Sequence, residues 1–262
     1  MKKIYPYLII PIFIILLTII LMDRKEQPNN KVITVLSNNT NLYHKENKIE
    51  FLFYINNNKH PLTNKDSYRD IIIKDIDENK ALNLKLLDIS YSHKEIYLKE
   101  NYYAFNLIFD SVNLTNNYLI NEAYLSINLI NDENYLFKVG KFNITYLNDG
   151  IELPWSNLDS SKESEEDLSI SNIIIELNEN ISNILNVYTN INESLKYDYT
   201  NDKLIISLNY INKLYNNNLP IIVETINNTY YINNHKYFVD YNLLNKSNEI
   251  LNIYEVNWTK KR

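Results

Sequence analysis

The chain contains no cysteine and only two glycines in 262 residues, and each scarcity removes a class of function. Without cysteine there can be no disulfide framework, lipoprotein attachment, thiolate nucleophile or Cys-ligated zinc. With Gly140 and Gly150 as the only glycines, neither a glycine-rich phosphate loop nor the G-x-S-x-G nucleophile elbow can be built. Histidine is sparse as well. His44, His60, His93 and His235 show neither H-x-H nor H-E-x-x-H spacing and read as loop or surface residues. Positive charge is in deficit: 26 Lys and Arg stand against 32 Asp and Glu. That balance argues against binding a phosphate backbone, which needs clustered cations. The basic cluster Lys260-Lys261-Arg262 reads as a solvated tail.

Asn, Ile, Lys and Tyr are plentiful, with 23 Tyr in all. These residues have AT-rich codons, so the bias points to an AT-rich genome such as that of a low-GC Gram-positive bacterium. The Asn-x-Ser/Thr triplets at Asn113, Asn143 and Asn257 are then a by-product of abundant Asn.

One long apolar run stands out. Ile4 to Met22 carries no charge, follows Lys2 and Lys3, and precedes Asp23-Arg24-Lys25-Glu26. As a helix it would reach about 28 Å, close to the thickness of a bilayer core. No small-residue cleavage site follows it, since the first Ser is Ser37 and the first Ala is Ala81. The segment therefore reads as an uncleaved signal anchor. Basic residues flank both sides, and the short head at residues 1–3 decides for a cytoplasmic N-terminus with the bulk of the chain outside.

Beyond a polar stalk at 23–30, short runs alternate in the period of a strand. Phe51, Phe53 and Ile55 form one such face, and Tyr103, Phe105, Leu107 and Phe109 another. Ala123, Leu125, Ile127 and Leu129 lead through the turn residues 131–134 to Tyr135, Phe137 and Val139. Apolar parity then switches to Phe142, Ile144 and Tyr146, which predicts a β-bulge beside Gly140. The stretch from Trp155 to Asp167 loses this period and is acidic, so it reads as a linker. Strand-like runs resume at 168–177, 203–211, 219–226, 229–239 and 249–258, while 178–194 fits strand or helix. The chain is thus expected to be all-β: a transmembrane helix at 4–22, then two tandem immunoglobulin-like or fibronectin-like β-sandwiches at 31–150 and 168–258. A linker at 151–167 would join them, and a basic tail at 259–262 would follow. The Cys-Trp-Cys spacing of true immunoglobulin domains is absent.

Candidate sites are few. Asp75, Asp77 and Glu78 resemble the start of a calcium loop, but Lys80 takes the place of its sharp-turn glycine and Leu86 that of its bidentate Glu. Only a loosely built structural calcium site is compatible with them; Asp132 and Glu133 could act similarly, and no other cofactor is expected. Leu153-Pro154-Trp155-Ser156-Asn157 lacks the Thr and Gly of the wall-sorting signal LPxTG that it superficially resembles. Trp155 and Trp258 are the candidate binding residues, because flat rings stack on sugars or anchor interfaces. With no catalytic motif, the leading expectation is a membrane-held, extracytoplasmic, non-catalytic protein that binds or assists a protein partner. A wall-polysaccharide or glycan binder using exposed aromatics is the alternative, and a membrane-tethered hydrolase using Asp or Glu is a third.

Overall fold

A computed structural model describes residues 29–43, 48–110, 112, 114–147, 149–164, 170–190, 193–208, 219–235, 242–246 and 250–256. The proposed anchor Ile4–Met22 lies outside them, and among the described residues no helix is long and apolar enough to cross a membrane.

The regular structure of the described residues is almost entirely strand. The first sandwich draws on β1 (Asn30–Val35), β2 (Ser37–Tyr43), β3 (Ile49–Ile55), β4 (Tyr68–Lys74), β5 (Ala81–Asn83), β6 (Leu86–Tyr97), β7 (Glu100–Phe109), β8 (Tyr118–Leu129) and β9 (Asn134–Tyr146). One more strand arrives from the far end of the sequence, β19 (Leu251–Val256). One sheet has the order β19-β1-β3-β7-β6 and the other β2-β9-β8-β4-β5. Their alternating apolar faces meet in a core that includes Phe51, Phe53, Phe105, Phe109, Phe137 and Phe142. Burying each such ring contributes roughly 1.5–3 kcal/mol. Phe51 of one sheet stacks on Phe142 of the other at 6.1 Å between centroids.

The strands of the second sandwich are β10 (Gly150–Glu152), β11 (Trp155–Ser161), β12 (Asn172–Leu177), β13 (Ile184–Asn190), β14 (Glu193–Ser194), β15 (Lys196–Thr200), β16 (Lys203–Ser207), β17 (Leu219–Thr225) and β18 (Thr229–His235). One sheet has the order β10-β18-β17-β13-β14 and the other β11-β12-β16-β15. Its core is aliphatic, built on Ile173, Ile175, Leu204, Ile206, Ile221 and Val223.

Within the stretch 151–167 expected as a linker, residues 151–152 and Trp155–Ser161 are strand, 162–164 are not, and 165–167 lie outside the described residues. β11 is an edge strand in which Leu158 alone packs on the core, so it shows no apolar alternation. The final strand, expected in the second sandwich, pairs with β1 in the first, from Asn30 opposite Val256 to Val35 opposite Leu251. The two sandwiches are therefore not in tandem, because the second is inserted between β9 and the returning C-terminal segment. A short helix, α1 (Leu243–Lys246), precedes β19, and Leu243, Leu244 and Ile250 pack with Ile33, Val35, Tyr54, Tyr102 and Ala104 in a third apolar cluster. That cluster covers the outer face of the β19-β1-β3-β7-β6 sheet. The seam between sandwiches is formed where β17 lies against β2 and β13 against β9. There Ile222, on the face of β17 opposite the core, is fully buried, as are the polar Asn38 and Thr40 of β2.

The bulge foreseen beside Gly140 is present: Ala123 opposes Gly140, and the next residue, Tyr124, opposes Lys138. It frees backbone groups that side chains then satisfy. Lys138 N–H donates to Tyr254 Oη at 2.8 Å, its carbonyl accepts from Thr34 Oγ1 at 2.8 Å, and Val139 carbonyl accepts from Ser37 Oγ at 3.0 Å. The chain crosses between sheets at the same level, from Val35 to Ser37, which pairs with Gly140. Gly140 has φ +102°, and a Cβ there would lie 2.2 Å from Ser37 O and 2.6 Å from Ser37 N. Gly140→Ala should therefore cost about 3 kcal/mol or more, read as a lower urea midpoint. An unchanged midpoint would show that β2 can move aside.

His60, read as a loop or surface residue, lies in a loop but is fully buried. It caps the 3-10 turn Pro61–Thr63, its Nδ1 accepting from Leu62 N–H at 3.2 Å. Burial lowers its pKa from 6.5 to about 4, against the opposing pull of Glu133. The folded state thus prefers the neutral ring, so stability is complete above the unfolded value near 6.5 and falls as pH drops from there toward 4. The loss should reach about 3 kcal/mol, and His60→Gln should flatten that part of a stability–pH curve measured by denaturant titration.

Candidate interaction surface

The hairpin of β6 and β7 has two unlike faces, and a bulge in β6 creates them. Tyr91 opposes Phe105 and Lys94 opposes Tyr103, so β6 holds one residue more than β7 over this span. Side chains after the bulge change parity. Tyr91, Lys94 and Ile96 lie on the side of Phe105 and Tyr103, while Glu95 and Tyr97 lie on the side of Tyr102.

The Glu95 face is closed. Its carboxylate is buried and accepts from Tyr54 Oη at 2.8 Å, Leu244 N–H at 3.0 Å and Leu243 N–H at 3.3 Å. His93 Nε2 lies 2.8 Å from Glu95 Oε1, and Ser92 Oγ lies 2.9 Å from His93 Nδ1. The chain Ser92–His93–Glu95 repeats the connectivity of a nucleophile, base and orienting acid. Its carboxylate, however, is committed to α1, and Ser92 sits on the exposed bulge of an edge strand. A cavity in this sandwich lies elsewhere, between the sheets, lined by Phe51, Leu62, Leu107, Leu125, Ile127 and Phe137. It has room for no more than a water molecule. Burial and the neighbouring Glu100 carboxylate push the Tyr102 hydroxyl above its ordinary range. The hydrogen bond from Lys31 Nζ, 3.0 Å away, lowers Glu100.

The opposite face is open. Phe53 stacks on Phe105 at 5.8 Å, Tyr91 meets Phe105 edge-on at 5.7 Å, and Lys94 Nζ lies 5.8 Å over the Tyr103 ring. From this aromatic base a ridge runs out to the hairpin tip through Tyr91, 57 % exposed, Ile96, 64 %, and Leu98, 73 %. The tip uses positive φ at Leu98 and Lys99, the pair of left-handed residues that a tight hairpin turn requires and that Asn-Gly more often supplies. A non-glycine pair there is costly, yet it thrusts a leucine into solvent. Lone exposed apolar residues are ordinary, but a register-aligned row of them on a rigid hairpin is the form an interface anchor takes.

The same edge strand is partly plugged against backbone pairing. Leu87 carbonyl accepts from Lys65 Nζ, Ile96 carbonyl accepts from Asn245 Nδ2 at 2.9 Å, and Ile89 N–H donates to Asp88 Oδ1 at 2.8 Å. Such plugs, together with the bulge, discourage addition of a foreign strand. Recognition here would run through side chains.

The residues singled out from the sequence are scattered. Asp75, Asp77 and Glu78 fall in the turn between β4 and β5. Asp75 Oδ1 accepts from Lys80 N–H at 3.2 Å, and Glu78 pairs with Lys74. Among the described residues no three His, Asp or Glu side chains are placed to share a metal. Trp155 begins β11 and is 41 % exposed, with its carbonyl accepting from Asn178 Nδ2. Trp258 lies outside the described residues. Several tyrosine hydroxyls are held by the fold: those of Tyr54, Tyr68, Tyr135 and Tyr197 bond to Glu95, Leu62 carbonyl, Glu133 and Ile184 carbonyl. The ridge escaped sequence reading because the bulge that turns Ile96 outward leaves no mark in the pattern of residues 91–97.

This is an all-β protein made of two sandwiches, one inserted into the other. No protein-family model matches the sequence, and no curated protein matches it. Among solved structures it is similar to a marsupial T cell receptor, with 10 % identity and a TM-score of 0.23, covering 78 % of this chain and 60 % of that one. It is likewise similar to the D00-D0 domain of intimin, at 13 % identity and a TM-score of 0.19, covering 80 % of this chain and 100 % of that one. Scores this low carry no inference about function.

Glu95→Ala would leave Tyr54 Oη and the Leu243 and Leu244 N–H groups buried without their acceptor. The expected cost is about 3–5 kcal/mol, accompanied by faster hydrogen exchange at Leu243 and Leu244. Exchange unchanged at those amides would mean that α1 is held by its leucines alone.

Proposed function

We propose that this chain is a non-catalytic binding or accessory protein, held in the cell membrane by Ile4–Met22 and presenting its sandwiches outside the cytoplasm to a protein partner. The observation that carries the reading is the Tyr91–Ile96–Leu98 ridge, an exposed apolar row on a hairpin whose other face is fixed by Glu95 and α1. A rigid anchor of this kind loses little entropy on binding. The commitment of Glu95 to α1 supports a non-catalytic role. Because Asn30 opposes Val256, the segment leading from the anchor and the tail carrying Lys260-Lys261-Arg262 leave from the same end of one sheet. A membrane anchor at 4–22 would hang the protein from that end.

The glycan reading keeps one support, the exposed ring of Trp155. The hydroxyls of Tyr54, Tyr68 and Tyr197 are held by Glu95, Leu62 carbonyl and Ile184 carbonyl, which takes those rings out of the aromatic surface it needs.

Photo-crosslinking from position 98 in native membranes tests the proposal. A discrete protein adduct is expected, and Ile96→Asp should reduce it at least about tenfold, as loss of an interface anchor does, while leaving the fold intact by circular dichroism. An adduct indifferent to Ile96→Asp, or none at all, would overturn the proposal.

A further inference from the structure

Charge is divided unevenly along the chain. Residues 150–235, the second sandwich, hold twelve Asp and Glu against four Lys, whereas the rest of the chain holds twenty acidic and twenty-two basic residues. The excess of negative charge therefore belongs to the inserted sandwich.

One end of that sandwich combines carboxylates with exposed apolar side chains. β12 ends at Leu177 and β13 begins at Ile184, so residues 178–183 cross from sheet to sheet there. On one sheet this end carries Trp155, opposite Leu177, and the turn at 201–202. On the other it carries the start of β13, opposite Thr225, the turn between β17 and β18, and the start of β10, opposite Thr229. Leu185 is the extra residue of a bulge between Ile184 and Asn186 and projects from the sheet. Trp155, Ile151, Leu185 and Ile226 are all exposed, Ile226 to 64 %. Around them stand Asp149, Glu152, Glu179 and Asp202, exposed, and Glu224, half-buried. The cation that this sandwich contributes here among the described residues, Lys203, is already paired with Glu176 at 2.6 Å.

We propose that this end of the inserted sandwich is a docking site for a cationic amphipathic segment of a partner protein. Apolar side chains of the segment would bury Trp155 and Ile226, and its Lys or Arg residues would meet the surrounding carboxylates. The apolar contacts supply affinity, and the charges supply steering and selectivity. An anionic lipid surface or a nucleic acid is excluded by the same charge, which would repel it. The site is separate from the hairpin ridge in position and in sign of charge.

The test uses the full chain in zwitterionic nanodiscs, with Trp258→Phe leaving Trp155 as the sole tryptophan. It is titrated with a synthetic peptide of Leu and Lys at helical spacing, with the same peptide carrying Glu in place of Lys, and with polylysine, and empty discs are subtracted. The Leu-Lys peptide should shift Trp155 emission to shorter wavelength and bind at least about tenfold tighter than either control, and more weakly at higher salt. Ile226→Asp should weaken it about tenfold, and Ile96→Asp on the ridge should leave it unchanged. Polylysine binding as tightly as the peptide would reduce the effect to bulk charge and overturn the proposal. So would peptide binding without a Trp155 response, or binding unaffected by Ile226→Asp.

Discussion

The buried carboxylate of Glu95 holds the returning C-terminal segment on the first sandwich, and the rest of the architecture depends on that return. Two backbone amides and a tyrosine hydroxyl converge on it, which offsets the cost of burying the group. With Leu243 and Leu244 seated over Tyr54 and Tyr102, β19 is delivered to the edge of β1. The outer face of one sheet is closed, and its core side gains Val256 and Tyr254. The second sandwich is thereby held by two passes of the chain and by the seam of β17 on β2. The pair should move far less freely than two domains on one linker.

A chain without cysteine and almost without glycine must solve its turns and edges by other means. Positive φ is taken by Glu78, Asp132, Asn183, Asn201 and Asp202, and at the ridge tip by Leu98 and Lys99. Asn and Asp tolerate that region because their side chains bond locally. Edge strands are blunted the same way: Ser160 N–H turns to Asp159 Oδ1 as Ile89 N–H turns to Asp88. These plugs make β6 and β11 poorer templates for strand addition, and the proposed contacts with partners would fall to side chains raised by bulges and turns, at Ile96 and Leu98 in one sandwich and Leu185 and Ile226 in the other.

Much of the first sandwich could be read from residue order, since Phe51 to Ile55, Tyr103 to Phe109 and Ala123 to Leu129 alternate in strict period. The parity switch at Gly140 located a bulge whose partner, Ser37, only the fold reveals. What could not be read was long-range pairing. Leu251–Val256 looks like any strand, and nothing local says that it belongs beside Asn30–Val35. β11 was hidden because an edge strand packing one apolar residue resembles a loop. The histidines were legible only in part: His60 does lie in a loop but is buried among distant residues, and His93 meets Glu95 only because a bulge lets residues 92, 93 and 95 share one side. Trp155 was singled out for its ring alone, while the carboxylates around it are gathered by the turns at one end of the sandwich.

The C-terminal return, rather than a tandem arrangement, completes the first sandwich. Hydrogen exchange on a chain ending at His235, compared with the full chain, tests it most directly. Amides of β1 and β3 should lose protection, while those of β12, β16 and β17 should keep theirs. Native protection in β1 and β3 without the return would contradict it.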